Sequence, residues 1–208
     1  MIRKIVVLSF KAVKLVRFKL MTLVSKLYCE FLFYTNNVLH GTFSCYGKPY
    51  INVNLQGKCI IGNHFHMNNG YRYNPIGRNQ PCYLVVDADA ILTIGDNVGM
   101  SSAAIVCQNR ITIGNHVMIG GGTCIYDTDF HSLDSNLRLD VIKDRLNKKT
   151  KPVIIGDNVF IGAHVTILKG VKIGNNCIIG ACSVVTKSVP EGEIWAGNPA
   201  KFIKQINV

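Results

Sequence analysis

From Ile155 onward the hydrophobic positions of the chain fall every six residues. IGDNVF, IGAHVT, ILKGVK, IGNNCI, IGACSV and VTKSVP follow one another, so Ile155, Ile161, Ile167, Ile173, Ile179 and Val185 share one phase. Four residues after each stands Val159, Val165, Val171, Cys177, Ser183 or Val189, all small or β-branched, and Gly follows the aliphatic in four of the six. The same phase appears upstream in IGDNVG from 94, MSSAAI from 100, IGNHVM from 113 and IGGGTC from 119, with one extra residue between the set at Val106 and the set at Ile113. Six is neither the 3.6 of an amphipathic helix nor the two of a simple strand. It suits a triangular coil in which each side is a short strand, three hexads close a turn of about 18 residues, and successive turns stack about 4.8 Å apart. An ordinary parallel α/β sheet would need helices between its strands, and no helical pattern separates these. The pattern therefore predicts a parallel β-helix.

Two segments depart from the repeat. Residues 51–80 hold only a fragment of it (IIGNHF) among insertions, and predict a first, degenerate coil whose open end residues 35–50 help to cover. Residues 1–34 predict a basic amphipathic helix. Its first 26 residues carry seven cations and no anion, and at 100° per residue these fall within an arc of roughly 200°. Such a helix can lie in a membrane interface, or cap the coil with its basic face solvated, and one helix can do both. Cations interrupt every apolar run, so the segment reads neither as a signal peptide nor as a bilayer span.

The totals add modestly to this picture. A chain of 208 residues, 48% hydrophobic and 17% charged, suits one globular domain with an appendage. The formal charge of +11 favours anionic partners, but no zinc-finger or RNP-like run supports nucleic acid. Eight cysteines form no CxxC pair, and most sit in apolar runs as small hydrophobes, which points to reduced thiols and a cytoplasmic protein.

Buried aliphatics offer no chemistry, so function must come from what protrudes. The coil is left after Ile125 and rejoined in phase at Ile155, which makes residues 126–152 a long excursion. It opens with YDTDFHSLD, holding Asp127, Asp129, His131 and Asp134. An imidazole titrating near neutral pH can take a proton from a hydroxyl as that hydroxyl attacks.

The hexad, the segment YDTDFHSLD and the late motif GNPAK together resemble the left-handed β-helix family of hexapeptide acyltransferases, and within it the galactoside, maltose, xenobiotic and polysaccharide O-acetyltransferases. The resemblance covers roughly residues 50–205. It implies an all-β fold, a left-handed parallel β-helix over 35–189, with an N-terminal helix, an active-site loop at 126–152 and a cofactor-binding tail at 190–208. Left-handed coiling would be an exception to the usual right-handed crossover. It also implies acetyl-CoA as donor, no metal, and a homotrimer with sites between chains. The γ-class carbonic anhydrases share the fold, but their pattern includes two histidines five apart, and His116, His131 and His164 contain no such pair.

By that resemblance His131 is the general base, with Asp129 to orient it, and Asp127 and Asp134 hold sugar hydroxyls. Ser102 stands where relatives have an asparagine that faces the thioester oxygen. Ala163 and Ala181 bind the pantetheine arm through their backbone. Thr186 and Lys187 lie near the adenine, Lys201 and Lys204 near the phosphates, where lysines replace the family's arginines. Phe160 lines the same groove. The implied function is O-acetylation of a sugar hydroxyl in capsule, exopolysaccharide or lipopolysaccharide biosynthesis, at the inner membrane face. N-acetylation of an amino sugar, serine O-acetylation and an inactive membrane-bound scaffold are the alternatives.

Overall fold

The computed structural model describes residues 2–77 and 79–206. A long helix, α1 (Ile2–Thr35), leads into a triangular solenoid of short parallel strands. Its three faces are ladders of one strand per turn. The first begins at Leu39–His40 and runs to Lys172–Ile173, the second begins at Phe43–Tyr46, and the third runs from Tyr50–Val53 to Val184–Val185. The coil thus starts before residue 51. Residues 39–53 are its first turn rather than a cover, and α1 covers the end instead.

Hexad side chains alternate as the pattern predicts. Ile155, Ile161, Ile167, Ile173, Ile179 and Val185 all point inward and are buried. The expected phase at Val106 is shifted by one: Ile105 points in, because it pairs in register with Ile125, and Val106 lies outward opposite Tyr126. Ser102 causes the shift by turning its corner in the left-handed region, at φ 45°, with one residue fewer than other turns use.

The Gly-Asx pair of each hexad builds the corner between the first and second faces. Asp96 Oδ1 accepts from the Asn63 N–H (2.6 Å), Asn115 Oδ1 from Asp96 (2.8 Å), Asp157 Oδ1 from Asn115 (2.6 Å) and Asn175 Oδ1 from Asp157 (2.9 Å). A Cβ on Gly62, Gly95, Gly114 or Gly156 would strike the Asx side chain of the next coil, which is why the repeat keeps glycine there. One residue beyond the Asx, His64, Asn97, His116, Asn158 and Asn176 adopt φ between 56° and 58°. Asn and His enter this region more readily than most residues, so His64 and His116 serve the corner.

Capping of the open end falls to the last third of α1. Ser25, Cys29 and Phe33, four apart, are its buried residues. Phe33 packs on Phe43 at 4.9 Å between ring centroids, Ser25 Oγ accepts from the Gly47 N–H (3.1 Å), and Asn36 Oδ1 accepts from Val53 (3.0 Å). At the far end an antiparallel hairpin, Glu193–Gly197 with Ala200–Gln205, adds to the second face. All eight cysteines are free. Burial pushes the Cys59 and Cys82 thiols up to about 12, as for small hydrophobes in a core.

If the Gly-Asx corner governs stacking, Gly114→Ala should lower the unfolding free energy by about 1–3 kcal/mol, the usual cost of overpacking, although its φ suits any residue. Urea unfolding followed by circular dichroism checks this; a change within error would show that the corner has room to spare.

Candidate active site

The excursion at 126–152 is a folded structure of its own. It leaves the third face after strand Cys124–Tyr126, and its two limbs pair at the base: Thr128 bridges Thr150, the Asp129 N–H donates to Lys149 O (3.0 Å) and Lys151 to Asp127 O (2.9 Å). A helical turn, α2 (Ser135–Arg138), and a short helix, α3 (Val141–Asn147), follow. Asp134 caps α2 through the Asn136 N–H, and Asp140 caps α3 through Ile142 and Lys143. One turn into α3, Asp144 is turned back toward the start of the loop.

There Asp144 Oδ2 lies 2.6 Å from His131 Nδ1, and its Oδ1 accepts from the Ser132 N–H at 2.7 Å. The two bonds fix both the ring and the backbone beside it. The His131 side chain is 71% exposed and that of Asp144 15%. With Nδ1–H donated to the carboxylate, Nε2 of this exposed ring is left with the lone pair. The hydrogen bond to His131, then that to Ser132, holds the Asp144 carboxyl below its ordinary range.

The other acids are engaged elsewhere. Asp129, the expected orienter, is paired with Lys169 of the next coil (2.8 Å), and only its backbone carbonyl meets His131, through the His131 N–H (2.7 Å). Asp127, expected to hold substrate, is buried and accepts the N–H groups of Gln108 and Asn109, each at 2.8 Å. It anchors the loop to the preceding coil. Asp134 spends its carboxylate on the cap of α2. Asp144 was not foreseen, because its partnership depends on how α3 folds back over thirteen residues.

Ser102 is fully buried, and its Oγ has no hydrogen-bond partner among the described residues. It cannot meet a ligand. Ser101, one residue earlier, points outward on the second face, where its Oγ accepts from Asn68 Nδ2 at 3.2 Å. Asn68 Oδ1 in turn lies 3.1 Å from His66 Nε2, and His66 Nδ1 2.7 Å from Ser44 Oγ.

Ala163 and Ala181 stack on adjacent coils at the corner between the second and third faces. Neither backbone N–H has a partner among the described residues. The glycines before them keep the backbone bare: a Cβ on Gly162 would strike the Ala181 N–H. Phe160 is outward on the second face, between Met118 and Ile178 in the ladder. Lys201 pairs opposite Ala196, and a Cβ on Gly180 would strike that of Ala196, so this lysine belongs to the alanine corner. Lys204 pairs opposite Ile194. Thr186 and Lys187 are exposed at the other edge of the third face, the edge from which the His131 loop springs. One chain thus separates the His131–Asp144 pair from the alanine corner by the width of a face. At about 3.3 Å per residue, the five residues from Ala163 to Leu168 span roughly 15 Å.

The Asp144 contact has a defined pH dependence. A depressed carboxyl contributes above the ordinary aspartate range, near 3.9, and the contribution is lost as pH falls through the lower folded value. Exchange protection of the Ser132 amide should therefore persist below pH 4 in the native protein and be lost throughout in Asp144→Ala, which leaves no acceptor. Equal protection in both proteins would remove the contact.

Among the described residues no cluster of three His, Cys, Asp or Glu side chains could hold a metal. Residues 152–187 match the family model described as bacterial transferase hexapeptide (six repeats). A putative acetyltransferase of Saccharomyces cerevisiae is 38% identical over 58% of this chain and 59% of its own length. A putative lipopolysaccharide biosynthesis O-acetyl transferase of Escherichia coli is 29% identical over 79% of this chain and 78% of its own. Among solved structures, galactoside acetyltransferase in complex with coenzyme A superimposes with a TM-score of 0.53 at 32% identity, covering 68% of this chain and 64% of that one. The chain thus spans about three fifths of the yeast relative. Repeat, coil and relatives together show the left-handed parallel β-helix fold of the hexapeptide-repeat acetyltransferases that this chain resembles.

Proposed function

We propose that the chain is an acetyl-CoA-dependent O-acetyltransferase acting on a sugar hydroxyl, with His131 as general base. The observation that carries this is the Nδ1···Asp144 contact at 2.6 Å on an exposed ring near the start of the long excursion from the coil, which leaves Nε2 free of that contact. Two relatives support the chemistry: one is named a lipopolysaccharide O-acetyl transferase, and another was solved with coenzyme A.

In this reading His131 Nε2 takes the proton of the acceptor hydroxyl as its oxygen attacks the thioester carbonyl. Asp144 holds the ring and favours the imidazolium that forms. The tetrahedral intermediate then collapses, the C–S bond breaks, and the imidazolium returns its proton to the departing thiolate. Asp144 takes the orienting role expected of Asp129. With Ser102 buried, Ser101 is the outward hydroxyl left to face the developing oxyanion. The free N–H groups of Ala163 and Ala181 suit the amide carbonyls of a pantetheine arm, and Thr186, Lys187, Lys201, Lys204 and Phe160 keep their expected roles.

The same reading supports a homotrimer. The loop that carries His131 springs from the edge of the third face opposite the alanine corner, so His131 would meet a neighbour's corner, which threefold symmetry supplies. The acceptor we infer is a surface polysaccharide unit held at the cytoplasmic face of a membrane, toward which α1 would turn; no described helix is long and apolar enough to cross one.

Turnover of acetyl-CoA with an acceptor should fall by about 10²–10⁴-fold in His131→Ala. Asp144→Asn should lose less and change the pH profile of kcat/KM, the signature of a positioning residue. Measuring free thiol release across a sugar panel tests both. Unchanged turnover in His131→Ala, or full turnover by a monomer in the ultracentrifuge, would overturn the reading.

A further inference from the structure

We propose that α1 docks on an anionic phospholipid bilayer, and that Lys14, Arg17 and Arg72 form a binding cleft for a headgroup phosphate. The inference concerns attachment and stands apart from the acetyl-transfer reading.

The helix has two apolar faces. Ser25, Cys29 and Phe33 meet the solenoid. On the opposite side Val13, Val16, Leu20, Val24, Leu27 and Phe31 form a stripe that the fold leaves bare, Leu20 at 60% and Phe31 at 62% exposed. At 100° per residue these six fall within an arc of roughly 80°, centred opposite Cys29. Capping the solenoid therefore does not account for the stripe, which runs past the docked third of α1. Arg17 and Lys19 border it on either side. Their long stems can lie along an apolar surface while the charged heads reach headgroup level.

Charge selects the occupant. Residues 1–86 contain eleven of the 23 lysines and arginines but one of the twelve acids, Glu30, whereas residues 87–208 contain twelve and eleven. Nearly all the net positive charge thus belongs to α1 and the first two coils. Glu30 is paired with His40 (3.5 Å). A second copy would bring the same uncompensated cations against these, so stripe-to-stripe pairing of two chains is disfavoured. An anionic bilayer offers both an apolar interior and the opposite charge.

The cleft gives the docking a specific point. Lys14, Arg17, Phe18 and Met21 of α1 and Arg72 and Tyr73 of the second coil enclose about 290 Å³. Phe18 stacks on Tyr46 (5.8 Å) and packs against Tyr73 (6.1 Å), which ties the arm to the coil at this point. Arg72 is steadied by Tyr71, whose hydroxyl accepts from Nε at 3.0 Å. Among the described residues no carboxylate pairs with Lys14, Arg17 or Arg72. Three unpaired cations around an aromatic floor fit a phosphate whose ester chains turn toward the stripe.

Co-sedimentation of the full chain with vesicles tests this. Binding should be strong on vesicles containing phosphatidylglycerol, weak on phosphatidylcholine alone, and should fall steeply with salt. Leu20→Glu with Leu27→Glu should abolish it. Arg72→Gln should weaken it by about fivefold, the value of one cation at such a surface, while Lys58→Gln, away from α1 on the first face, should change it little. His131→Ala should bind as the native protein does. Circular dichroism melts confirm that each variant is folded; the wild-type lipid and salt dependence holds whether or not a variant folds. Equal binding to both vesicle types, normal binding by the stripe variant, or an equal loss with Lys58→Gln would overturn the proposal. So would a stripe variant that lowers the oligomer mass and leaves vesicle binding intact.

Discussion

The structure depends on one constraint: each turn of backbone must lie in register against the next without an intervening side chain at the corner. Strand pairing supplies the attraction, and the buried aliphatic column supplies most of the free energy at about 25 cal/mol per Å² of apolar surface removed from water. Neither sets the register alone. The Asx carbonyls do so, each bonding the backbone of the preceding coil, in a space that exists because a glycine stands opposite. Glycine thus costs conformational entropy in the unfolded chain and returns a corner that can be stacked indefinitely. The order of the hexad, aliphatic then Gly then Asx, is the sequence form of that corner.

A scaffold fixed so tightly makes any departure expensive, and the long departure here is well anchored. Asp127 reaches into the preceding coil, Asp129 reaches Lys169 in the following one, and the two limbs pair between them. Two acids next to the imidazole thus hold the base of the loop rather than act on substrate. The third, Asp144, reaches the ring from the far limb. The loop is anchored at its root and fixes one imidazole beside it, the arrangement the proposed general base requires.

What could be read from the chain divides along the same line. The coil was legible because inward positions recur and the repeat has a single physical origin. The excursion was legible as an interruption, and His131 as its chemical residue. The roles of its aspartates were not, since a carboxylate that accepts two backbone N–H groups and one that holds a sugar look alike in sequence. Asp144 was hidden because α3 brings it back through three dimensions. The burial of Ser102 was hidden, because a corner that drops a residue cannot be seen from periodicity when the residues there are all small. The two-sidedness of α1 was half legible: its cations were counted, but only the packing of Ser25, Cys29 and Phe33 shows which apolar face the solenoid leaves free.

If α1 lies on a bilayer as proposed, height along the solenoid relates that bilayer to the proposed transfer site. The loop springs from the fourth strand of the third face, after Tyr50–Val53, Tyr83–Val86 and Ala104–Cys107. Three spacings of about 4.8 Å separate it from the first coil, roughly 14 Å, and the helix that covers that coil adds about 10 Å. In the proposed trimer, rotation about an axis parallel to the solenoid would leave this height unchanged, so a neighbour's cofactor edge would stand equally far from the bilayer. On that proposal, an acceptor anchored in the same membrane would have to extend across both distances before its hydroxyl met His131. A single sugar on a lipid phosphate is too short, whereas a chain of several units reaches. The height of the proposed general base on the coil would thereby favour a growing oligosaccharide over its first lipid-linked sugar.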